Sequence, residues 1–137
     1  MKNRLFTIIL MLFLSVGILS AAALAAPSAG EAGLSPDNPM VVPDEALTIS
    51  GTILEGISQD WLDENKPQDG STFYLKLGIS DSITELGDGY GGFRLGTGYS
   101  LQVDFSTAKN LTKINNQAFM NATALHGELD LSHTKTT

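Results

Sequence analysis

The chain has 137 residues, no cysteine and a formal net charge of −7, which limits it to one small domain stabilised by packing rather than by disulfides. The lack of cysteine excludes thiolate metal sites and thiol nucleophiles. The acidic balance repels phosphate backbones and so argues against nucleic acid as a partner.

In chain order, residues 1–26 have the layout of a signal peptide. Lys2 and Arg4 form a short positive region, residues 5–19 are almost wholly apolar, and residues 21–26 are small, with Ala23 and Ala25 at the recognition positions. The competing reading is an uncleaved anchor, since the apolar run is close to the minimum for a bilayer span. The alanines and Pro27 favour cleavage. The expectation is a secreted or periplasmic protein with no membrane span after processing. Removing residues 1–26 leaves 111 residues and, with Lys2 and Arg4 gone, a net charge of −9.

Residues 27–43 are rich in Ala, Gly, Pro and Ser. Prolines 36 and 39 lack a donor and restrict their predecessors, so this stretch reads as a flexible leader to a domain over residues 44–137. Apolar residues then fall on alternate positions in Leu47-Thr48-Ile49-Ser50, in Phe73-Tyr74-Leu75-Lys76-Leu77 and in Tyr99-Ser100-Leu101-Gln102-Val103-Asp104-Phe105. A period of two puts one face on a core and the other in water. A long strand is predicted over 46–57, bent or bulged at Gly51. Strands follow at 72–77 and 99–105, with a short edge strand near 82–86. Asp60 can cap one helical turn over 60–65. Residues 87–98, dense in glycine, predict a loop. Ser106 or Thr107 caps a short helix with Ala108, Leu111 and Ile114 on one face. Strands over 117–125 and 128–133, separated at Gly127, complete the order.

That order predicts an all-β fold: an OB-like Greek-key barrel with a short helix between the third and fourth strands. The matching pieces are Leu47-Thr48-Ile49-Ser50-Gly51-Thr52-Ile53, Phe73-Tyr74-Leu75-Lys76-Leu77, and Ala124-Leu125-His126-Gly127-Glu128-Leu129 followed by Ser132-His133-Thr134. On these the stretch 47–134 resembles small exported bacterial OB-like domains of families of unknown function. The resemblance implies a five-stranded barrel and no catalytic residues. Such domains usually carry one more strand after the final His-Thr segment, so the resemblance leaves open whether the barrel is complete or incomplete within this chain.

Several constellations are candidates for chemistry. His126, Glu128 and Asp130 alternate along a predicted strand and would share one face, a ligand set suited to a divalent metal; the plainer alternative is a solvated strand face. Asp60, Asp63, Glu64 and Asp69 gather in one loop as Ca²⁺ ligands or simply as a solvated acidic loop, but lack the EF-hand spacing. Trp61 stacks on a sugar or a partner, or else closes the open end of the core. By analogy with OB barrels, which bind through loops and the face of strands two and three, Trp61, Tyr74, Tyr90 and Arg94 are the binding candidates. No hydrolase elbow, zincin motif or phosphate loop is present. The expectation is a non-catalytic exported module binding a protein or glycan of the cell envelope, without cofactor. The alternatives are a metal-binding or metal-dependent envelope protein, and a structural or inhibitory protein acting by strand pairing.

Overall fold

The computed structural model describes residues 32–87 and 92–136; the segment expected to be a signal peptide and the first part of the expected leader lie outside the described residues. The described residues form a mainly β fold, with two sheets and one α-helix. Among the described residues no helix is long and apolar enough to cross a membrane.

Strand β1 (Met40–Val41) is followed by a 3-10 turn at Asp44–Ala46, then β2 (Leu47–Ser50) and β3 (Ile53–Ile57). Helix α1 (Gln59–Asn65) leads to β4 (Phe73–Gly78), β5 (Glu85–Leu86), β6 (Tyr99–Asp104) and β7 (Lys113–Ile114). One sheet has the order β1-β4-β6 and the other β2-β3-β5-β7. Among the named strands of the described residues, the β2–β3 hairpin is the antiparallel pair. The pairs β1–β4, β4–β6, β3–β5 and β5–β7 are parallel.

The chain therefore winds between the two sheets, laying each turn on the one before. Phe73 pairs with Tyr99, and the register runs unbroken to Gly78 opposite Asp104, a constant offset of 26 residues. A parallel bridge from Leu101 to Leu125 begins a further turn, and the Lys135 amide donates to the Leu111 carbonyl on the other side. Units of this length stacked on their neighbours are the arrangement of repeat architectures.

The sheets are not closed into a barrel. Greek-key closure needs antiparallel neighbours joined by hairpins, whereas here long crossovers make the neighbours parallel. The OB-like arrangement expected from the strand order is thus not reproduced. The predicted long strand over 46–57 is a hairpin instead: Gly51, at φ 62°, takes the left-handed conformation that suits the first position of a two-residue loop. The irregularity lies between Thr48 and Ile49.

The helix is α1, where a single turn was expected. Ser58, not Asp60, caps it, its Oγ accepting from the Trp61 amide at 3.4 Å. The predicted helix after Ser106 is replaced by tight turns and β7. Its side chains bond across to the previous turn of chain: Thr107 Oγ1 donates to the Ile79 carbonyl and Asn110 Nδ2 to the Asp81 carbonyl. Such bonds compete with helix formation. Ala108 and Leu111 are nonetheless buried, as their spacing implied. Residues 117–125 form turns, with Gln117 and Asn121 at positive φ, and 128–133 turn at Asp130, whose carboxylate accepts from the Ser132 amide. Residues 32–43, read as leader, supply β1 and the buried Val42. Gly33 permits this, because a Cβ there would collide with the Phe73 ring.

The core lies between the sheets. Leu75 and Leu77 on β4 and Leu101 on β6 are fully buried, and Leu54, Leu86, Phe93 and Leu111 join them from the opposite side. Each such side chain contributes about 1.5–3 kcal/mol by leaving water. Gly92 lies so close to β3 that a Cβ would overlap the Glu55 carbonyl, and this contact seats Phe93 against Phe119, with ring centroids 5.1 Å apart.

Candidate functional site

The alternation that buries Phe73, Leu75 and Leu77 turns Tyr74 and Lys76 outward. The same parity on β6 turns out Ser100, Gln102 and Asp104. Because the two strands are parallel and in register, Tyr74 lies beside Ser100 and Lys76 beside Gln102. The outer face thus carries rows of polar side chains from successive turns, and the apolar Val41 lies beside Lys76 at the start of one of them.

A cleft of about 330 Å³ opens where this face meets the last turn. Lys76, Gln102, Asp104, His126, Glu128 and His133 are among its lining residues, as is Asp130. Lys76 Nζ lies 3.0 Å from Asp104 Oδ2 in a half-exposed ion pair. The Asp104 carboxyl is held down at about 2, first by the Ser106 hydroxyl and amide and then by Lys76; Oδ1 accepts from the Ser106 amide at 3.0 Å. Asp130 repeats this turn with Ser132, which keeps its pKa below the usual carboxylate range, with a smaller contribution from His133. Ser100 Oγ faces the His126 ring, 3.2 Å from Nδ1. At neutral pH the cleft therefore presents fixed charge of both signs and two imidazoles.

The residues expected to share a face as metal ligands, His126, Glu128 and Asp130, do line one cleft. Among the described residues, however, no three His, Asp or Glu side chains converge closely enough to hold a metal ion. That applies equally to Asp60, Asp63, Glu64 and Asp69: Asp63 accepts from Gln59 along α1 and Asp69 from Ser71 in a separate turn. His133, whose opposite parity on a straight strand would have turned it away from His126, reaches the same cleft because the chain bends at Asp130.

The three binding candidates within the described residues, Trp61, Tyr74 and Arg94, are not brought together. Trp61 is half-buried and stacks on Phe73, with centroids 6.3 Å apart and planes inclined by 27°, so it closes one end of the core. Tyr74 leaves β4 on the face opposite Phe73. Arg94 is exposed beside the buried Phe93 and Leu95. Tyr90 lies outside the described residues. Lys76, Gln102, Ser100 and Asp104 were missed as candidates. The signal that marks them is repetition: Leu77-Gly78-Ile79-Ser80, Val103-Asp104-Phe105-Ser106 and Leu129-Asp130-Leu131-Ser132 recur 26 residues apart. No family model, curated protein or solved structure matches this chain.

Proposed function

We propose that the protein is a non-catalytic binding module of the cell envelope that holds a protein or glycan on the outer face of its three-stranded sheet. Export rests on the apolar, alanine-terminated segment at residues 1–26. The observation that carries the binding reading is the cleft, where Lys76, Gln102 and His126 come from three successive turns of chain and line one concavity. Polar groups on paired strands are held at fixed spacing, so a ligand need not order them on binding. Tyr74 adds an aromatic surface at the edge of the same face.

The test is Lys76→Ala combined with Gln102→Ala, both at half-exposed positions where truncation leaves the core intact. Glycan-array binding and crosslinking to envelope proteins, compared with the parent chain, should fall at least tenfold in one of the two assays, and that assay identifies the ligand class. Unchanged binding in both, or no binding by the parent chain in either, would overturn the reading.

A further inference from the structure

Two large apolar side chains, Ile49 and Leu129, are open to water at opposite ends of the coil. Ile49 lies directly across the hairpin from Leu54, and residues so paired share a face of the sheet. Leu54 is fully buried, whereas Ile49 is 46% exposed; β2 is the first strand of its sheet, and no strand among the described residues lies on its outer edge. Leu129, in the last turn between Glu128 and Asp130, is 40% exposed. The other large exposed apolar side chains among the described residues follow the same division. Leu34 and Val41 belong to the first turn and Met120 to the last loop.

Charge divides along the same axis. Residues 32–65 carry seven carboxylates and no lysine or arginine, while residues 106–136 carry three lysines against two carboxylates, together with both histidines. Contact between two first turns would set seven negative charges against seven. Contact between a first and a last turn sets a net −7 against a net +1, which favours encounter in that orientation.

We infer that the chain associates with a second copy of itself head to tail, the first turn of one copy stacking on the last turn of the other. Within each copy β1, β4, β6 and the Leu125 bridge all run parallel. Among the described residues no strand lies on the outer edge of β1, so this edge in one copy continues the strand direction at Leu125 of the next, an edge of the kind that recruits another strand. Ile49 of one copy and Leu129 of the other are covered in the same contact. Such a contact joins two different surfaces and leaves each copy with one of them unused, so it propagates unless the rotation closes a ring. The last turn that it covers also contributes Glu128 and Asp130 to the cleft, but the inference rests on the ends of the coil and not on the binding reading.

Sedimentation velocity tests this on the chain as purified from expressing cells, over a wide range of concentration. The sedimentation coefficient should rise past that of a dimer as concentration increases. Ile49→Asp and Leu129→Asp, both at exposed positions, should each give a monomer with unchanged circular dichroism. An equimolar mixture of the two should form dimers and nothing larger, because each variant retains the surface the other has lost. Should either variant lose its fold, Ile49→Thr or Leu129→Gln takes its place. A parent chain monomeric at every concentration, an assembly that only one substitution disrupts, or a mixture that stays monomeric would each overturn the inference.

Discussion

Asp104 is a surface residue with unusually well-defined surroundings. Ser106 supplies two donors and Lys76 a cation, and together they hold its carboxyl at about 2 against an ordinary value of 3.8. A carboxyl whose pKa is lower in the folded than in the unfolded chain contributes stability that is complete above the unfolded value and disappears as pH falls through the folded one. Asp104→Asn should thus lower the melting temperature at pH 7 by an amount equivalent to less than about 1 kcal/mol, the scale of a solvent-screened pair. The difference from the parent chain should close between about pH 4 and pH 2, as followed by thermal melts across that range. Lys76 and Asp104 were visible in the sequence only as outward positions of two alternating strands. Their pairing depends on the register that sets Lys76 beside Gln102 and Gly78 beside Asp104.

At the scale of elements, α1 illustrates how a short helix depends on what it covers. Seven residues do not sustain a helix in water without tertiary contacts. The Ser58 cap satisfies one amide, the buried Leu62 anchors the inner side, and Trp61 lies flat on Phe73. Lys66, just past its end, sits 4.6 Å from the centre of the Tyr99 ring. Trp61→Ala should cost about 2 kcal/mol, below the range for a fully buried tryptophan because one side of the ring is open to water; urea titration measures it. Of the two roles expected for Trp61, the structure shows the packing contact, its ring stacked on Phe73. Elements governed by alternation were legible: β4 and β6 lie within a residue of their expected bounds. The segments after Ser106 were not, because Thr107 and Asn110 find partners on the previous turn of chain, about 28 residues away in sequence. A local reading sees only a cap followed by helical spacing.

For the molecule as a whole, one continuous core joins both sheets and α1, from Val42 in the first turn to Ala124 in the last. Unfolding should therefore be a single transition: Trp61 fluorescence, which reports the helix end, and far-ultraviolet circular dichroism, which reports the sheets, should share one midpoint in urea, whereas separated midpoints would show that the turns unfold independently. The amino-acid sequence by itself determined that the chain is a small, mainly β fold without disulfides. It also determined which side chains of β4 and β6 face inward, because alternation is a local property of an extended chain and needs no knowledge of its neighbours. Whether those strands run parallel or antiparallel, whether they close, and which polar residues meet in the cleft were decided only in three dimensions. The same pleated segment buries the same face beside either kind of neighbour. The choice lies in where each crossover returns the chain, and bonds such as Thr107 to Ile79 and Lys135 to Leu111 made that choice.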